Sequence, residues 1–302
     1  MELTLYRAIE ANRRRSRLLA ALTTVPLTAL FGASVWIIGY DASRVMSPLV
    51  VGLGAILFGS RDLVLLVLGA KPLDIGDAPR LHRRLDVLCV GLGLKQAPRV
   101  FVMDGTAANA LALERVGQTG TLVVTRRLLD LGSDELDAVL AHELSHLVSA
   151  FVGLRSLVAL LTALAAAVAS TRSTAYKAAA LLIGALALWL LGPAVVYLAV
   201  LVAIFLAAEA RISREREHVA DALAVLLTRH PDALVRALRA IDGQYRASTK
   251  GRRRSPAGRD AELVARSLWM AAPPRPARGR LARLFDALPE TRARIRQLER
   301  IS

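Results

Sequence analysis

Four long apolar runs alternate with stretches of mixed apolar and polar residues, and this pattern sets the architecture. Residues 18–40 carry no charged side chain, and about 20 apolar residues suffice for a helix to cross a bilayer core. Arg13, Arg14, Arg15 and Arg17 precede this run, and Trp36 and Tyr40 stand near its far end, where interfacial aromatics belong. Its length and the lack of a small-residue cleavage site make it a retained signal-anchor, not a removed leader. Residues 46–70 form a second apolar stretch, interrupted by Arg61-Asp62, a pair expected at a membrane surface. Residues 147–170, interrupted by Arg155, and 178–208 are the third and fourth. Gly192-Pro193 is expected to kink the last.

The intervening stretches read as folded, water-facing polypeptide. Leu81–Leu88 has helical periodicity, and Arg99–Met103 and Thr121–Thr125 read as strands. A helix starts near Ser133, with Ser133 or Asp134 as cap, Glu135 and Asp137 in its first turn, and Leu136, Val139 and Leu140 on its apolar face. Residues 250–256 and 272–276 read as loops, and 290–300 as a charged terminal helix. The chain is thus expected to be mainly α with a small β-sheet, and polytopic in the membrane through about four transmembrane helices. Its divisions are 1–70 (arm and two spans), 71–146 (first half of a catalytic domain), 147–208 (a transmembrane hairpin) and 209–302 (the second half).

Composition agrees. Hydrophobic residues make up 54% and mean hydropathy is +0.43, too apolar for an ordinary soluble domain. The net charge is +15, almost all from Arg. Gathered beside apolar runs, these arginines suit anionic lipid headgroups and place both termini and residues 71–146 on the cytoplasmic side. Nucleic-acid binding is not expected, because the basic tail lacks interleaved aromatics or a recognisable module. The single cysteine, Cys89, excludes an internal disulfide and a cysteine-based zinc ribbon; it is expected as a small buried hydrophobe.

The chemistry is concentrated in His142-Glu143-Leu144-Ser145-His146. Four residues along a helix bring two imidazoles to one face, one turn and roughly 6 Å of rise apart. With five histidines in the chain, chance predicts roughly 0.003 copies of this pattern, so coincidence is a poor explanation. Neutral imidazoles are good Zn²⁺ ligands, and Glu143 between them is placed to act as a base on water. A catalytic zinc takes a third protein ligand. The other dense cluster of metal-competent residues is Ser213–Asp221, where Glu217 and Asp221 share a helix face at i, i+4. One can bind metal while the other orients an imidazole. The two spans between His146 and Glu217 return the chain to its original side, so the site can close. An oxyanion partner is not singled out; Arg214, Arg216 and His218 are the candidates.

On these residues the chain resembles the HtpX family of membrane zinc peptidases, gluzincin-type relatives of the CAAX prenyl endopeptidases. The resemblance extends to two N-terminal spans, Gly69–Leu73, Ala108–Ala112, Gly120–Thr125, Asp134-Glu135-Leu136, the hairpin and Ser213–Asp221. It implies a cytoplasmic gluzincin-like catalytic domain that cleaves membrane or misfolded proteins at the membrane surface. It further implies that one Zn²⁺ is bound by His142, His146 and Glu217, that Glu143 is the general base, and that Asp221 supports the ligands. Asn109 and the 121–125 strand, with Val123 and Val124, would line the substrate cleft, where an edge strand can pair with an extended peptide. The sequence departs from the family pattern at His218 and Leu111, where an aromatic is usual, and at Ala287-Leu288-Pro289, where Thr-His-Pro is usual. These departures bear on substrate preference. Two other readings compete: a CAAX-type prenyl endopeptidase, which would be a longer chain with more spans, and a non-catalytic zinc-binding membrane scaffold, against which an intact base argues.

Overall fold

The structure is a computed structural model that describes residues 61–113, 119–148, 213–250, 268–271 and 289–300, with Ala178, Leu182 and Ala185. The first expected span lies outside these residues, the third and fourth almost wholly so, and of the second only residues 61–70 are described. Among the described residues, no helix is long and apolar enough to cross a membrane.

The described fold is mainly helical with a small mixed sheet. In chain order it comprises α1 (residues 61–68), β1 (Lys71–Pro72), α2 (Pro79–Gly91), β2 (Arg99–Met103), β3 (Ala110–Leu113) and β4 (Thr121–Thr125). After a 3₁₀ turn (Arg126–Asp130) come α3 (Ser133–Val148), α4 (residues 213–228), α5 (Pro231–Lys250) and α6 (Thr291–Leu298). The strand order is β1-β2-β4-β3. β2 and β4 run parallel, with Arg99 opposite Thr121 and Met103 opposite Thr125, and β1 and β3 flank them antiparallel.

The two faces of the sheet bury different partners, as the two-residue period of a strand requires. Val100, Val102, Ala110, Ala112, Leu122 and Val124 join α2, α3 and α5 in the larger core. Met103, Leu111, Leu113 and Val123 face the other way and pack with Val64 and Leu68 of α1 and with Leu268 and Trp269. The alanines at 110 and 112 are small, which lets α3 settle on β3. At the sheet's near end Gly120 serves the same purpose, since a Cβ there would meet the Leu147 side chain of α3 at 2.7 Å.

Helix ends follow local chemistry. Pro79 opens α2, where its missing N–H costs nothing. Gly93 closes it at φ +68, with the Gly93 amide donating to Val90 and the Leu94 amide to Cys89, a pairing that satisfies the last carbonyls. α3 begins at Ser133 as expected, but its cap is neither Ser133 nor Asp134: the Leu136 amide donates to the Gly132 carbonyl, so Gly132 holds the cap position. Cys89 is buried in the larger core, and burial, helped by Asp86, pushes its thiol up to about 11. Arg61 and Asp62 pair with each other at 2.8 Å, with Asp62 half-exposed.

Candidate metal centre

α3 carries the site because its apolar residues anchor it along most of its length. Leu136, Val139, Leu140, Leu144 and Leu147 are buried in the larger core, and the same turns bury His142, Glu143 and His146. A helix fixed this firmly presents its two imidazoles at a set separation. The ring centroids are 5.0 Å apart with planes at 84°, and the two Nε2 atoms are 3.3 Å apart.

α4 supplies the opposing carboxylates. Glu217 Oε2 lies 3.3 Å from His142 Nε2 and its Oε1 lies 3.4 Å from His146 Nε2. One helical turn later, Asp221 Oδ1 accepts a hydrogen bond from His142 Nδ1 at 2.9 Å. That bond fixes the tautomer and aims the Nε2 lone pair at the other two donors.

The geometry tests whether these residues fit a metal. His142, His146 and Glu217 each offer a ligand atom, all within 4.8 Å of one another and all on buried residues. A tetrahedral ion with bonds of about 2.0–2.2 Å holds its donors roughly 3.3–3.6 Å apart; the two Nε2 atoms meet this at 3.3 Å, and Glu217 approaches each imidazole at 3.3–3.4 Å through a different oxygen. Charge gives the same answer. Glu143, Glu217 and Asp221 are buried carboxylates acting on one buried guanidinium, Arg294. With Arg216 also buried on the helix that bears Glu217, the carboxylates still outnumber the guanidiniums, an excess that a cation would offset. Without one, the carboxylates draw a proton instead: burial pushes His142 down, yet Asp221 and Glu217 outweigh it and hold its pKa at about 9.

Arg294 is the site residue that sequence reasoning missed. It comes from α6, read only as a charged terminal helix, and is 1% exposed. Its Nε donates to Asp221 Oδ2 at 2.8 Å, its Nη2 to Asp221 Oδ1, and its Nη1 to the Met270 carbonyl. Burial pushes the Asp221 carboxyl up, but Arg294 and His142 overcome this and hold it below the usual carboxylate range. The one available signal was positional, because the expected Thr-His-Pro falls at Ala287–Pro289, just before this helix.

Two expectations are corrected. β4 is an inner strand, hydrogen-bonded to β2 on one side and β3 on the other, so Val123 and Val124 have no free edge to offer a peptide. Both side chains are fully buried, one in each core. The outer strand beside α3 is β3. Asn109 likewise does not line a cleft, being 0% exposed with its carboxamide committed internally. Its Nδ2 donates to Tyr245 Oη at 2.9 Å and to the Ala271 carbonyl at 2.7 Å, and its Oδ1 accepts from the Ala110 amide at 3.0 Å. It braces β3, α5 and residues 268–271 together. Of the oxyanion candidates on α4, Arg216 is buried and Arg214 and His218 are half-buried; the cation bonded to Asp221 is none of these but Arg294.

Comparison with known proteins identifies relatives of this chain. A "Protease HtpX homolog" of Tropheryma whipplei (strain Twist) is 33% identical over 80% of this chain and 79% of its own length. Another, from Dictyoglomus thermophilum, is 29% identical over 98% of this chain and 94% of its own. The crystal structure of S. mikatae Ste24p aligns with 98% of this chain and 67% of that one at 18% identity and a TM-score of 0.46, a likeness too weak to carry an argument. The family model "Peptidase family M48" matches residues 76–302. Since that match takes in α3, α4 and α6 with every side chain of the centre, the chain belongs to peptidase family M48.

Proposed function

We propose that this metallopeptidase holds zinc through His142, His146 and Glu217 and cleaves internal peptide bonds of membrane polypeptides at the cytoplasmic surface. The observation that carries the reading is the triangle of two Nε2 atoms and one carboxylate at 3.3–3.4 Å. A divalent ion there supplies Lewis acidity, polarising a carbonyl and making nearby water easier to deprotonate. Glu143, one residue along α3 from His142 and equally buried, takes the proton from water and returns it to the leaving nitrogen. Asp221 keeps His142 in the tautomer that leaves Nε2 free. Arg214, Arg216 and His218, on the helix that bears Glu217, are the candidates to face the developing oxyanion.

An extended substrate pairs with β3 by adding a strand to the sheet. Asn109, Leu111 and Leu113 direct their peptides towards β4, as the bond from the Thr125 amide to the Asn109 carbonyl fixes. Ala110 and Ala112 therefore direct theirs outwards. Membrane residence is supported by the apolar runs at 18–40, 46–70, 147–170 and 178–208. It is supported also by Leu66, which lies within the second run and is 77% exposed on α1.

The test uses detergent-purified full-length chain and an unprenylated membrane protein as substrate. Cleavage should stop with a chelator and return with Zn²⁺. Glu143→Gln should retain stoichiometric zinc while losing about 10²–10⁴-fold in rate. Cleavage by Glu143→Gln at the normal rate would remove Glu143 from its role. Cleavage confined to a prenylated peptide would favour the CAAX-type reading.

A further inference from the structure

Arg294 is too well connected to be a packing residue. Burying a guanidinium is costly unless its donors are paired, and here the pairing is directional. Two of its nitrogens grip both oxygens of Asp221, a two-point contact that fixes the carboxylate plane as a single bond could not. The oxygen facing Nη2 is also the one that receives the His142 Nδ1 proton, so the guanidinium decides where that acceptor sits. The remaining arm donates to the Met270 carbonyl. The same residue's amide donates to the Ala110 carbonyl at 3.1 Å, on the outward edge of β3. One unbroken set of bonds thus runs from His142 through Asp221, Arg294 and Met270 to the strand beside α3.

We propose that Arg294 is the positioning residue of this centre: it clamps Asp221 against His142 and, through the Met270 peptide, ties that clamp to the edge of β3. The inference rests on the metal-binding reading above. Neither Arg214 nor Arg216 does this work, although both stand closer to Glu217 in sequence. Loss of the clamp frees Asp221 to turn from the imidazole, and loss of such an outer hydrogen bond weakens metal binding about 10–100-fold. Lysine at the same place keeps the charge but cannot grip two oxygens at once.

The experiment titrates Zn²⁺ and Co²⁺ into metal-stripped full-length chain in detergent, for the parent, Arg294→Lys, Arg294→Met, Asp221→Asn and the Asp221→Asn/Arg294→Met pair. Parent affinity should exceed Arg294→Met by about 10–100-fold, with Arg294→Lys nearer to Met than to the parent and an altered Co²⁺ visible spectrum in both. In the Asp221→Asn background, Arg294→Met should add little, because the two act as a unit. Hydrogen exchange should rise in residues 268–271 while α2 stays protected, which separates local release from unfolding. Unchanged affinity in Arg294→Met, or losses that simply add in the pair, would overturn the proposal while leaving the zinc reading intact. A parent chain that binds neither ion would overturn both.

Discussion

The two halves of the metal centre are built differently. His142, Glu143 and His146 come from five consecutive residues of α3, a helix fixed by apolar burial. Glu217, Asp221 and Arg294 come from α4 and α6, with Arg294 lying 152 residues from the imidazole it approaches, and mutual charge fixes them. The first half therefore answers to lost volume, and the second to lost charge and to pH.

The sharpest contrast is between Glu217→Ala and Glu143→Gln. Glu217→Ala should lose both metal and activity, whereas Glu143→Gln loses activity alone; metal analysis beside a cleavage assay separates them, and equal metal content in both would erase the proposed division of roles. Next in size, Leu144→Ala removes a fully buried side chain under the α3 half and should cost about 2–5 kcal/mol. A polar counterpart outside both halves, Asn109→Ala, strips a brace from Tyr245, Ala271 and Ala110. It should cost about 1–3 kcal/mol, read as a lower unfolding midpoint.

Acidity probes the charged half directly. In metal-stripped protein the folded His142 pKa is raised to about 9, so its stabilisation is fully present below about 6.5 and is lost as pH rises through 9. Unfolding midpoints in chelator should thus fall between pH 6.5 and 9.5, and Asp221→Asn should flatten that slope. A midpoint that rises across the same window would contradict the assignment. The smallest effect belongs to Arg236 and Glu135, an exposed pair joining α5 to α3. Arg236→Ala should leave the unfolding midpoint almost unchanged, because solvent screens an exposed ion pair.

These differences also explain what could be read from sequence. Strands 99–103 and 121–125 match β2 and β4 because valine-rich runs bounded by turns are distinctive. β3 was not foreseen as a strand. Its Ala-Leu-Ala-Leu is buried on both faces, so no polar alternation marks it, and alanine is a poor strand former. The resemblance placed residues 121–125 along the cleft, whereas the strand order puts β3, not β4, on the outside of the sheet. In the centre itself, helical spacing brings out the two imidazoles and the Glu217–Asp221 face because those relations are local. Arg294 is one of many basic residues in an arginine-rich tail, and nothing local distinguishes the one that folding buries.

The bond from the Met270 amide to the Ala110 carbonyl has a consequence for how a polypeptide would be measured. It occupies the outward-pointing acceptor of Ala110, so for a strand that added to β3 as proposed, Ala112 would be the one outward peptide left within Ala110–Leu113. Residues 268–271 would then set the end from which such a ladder starts.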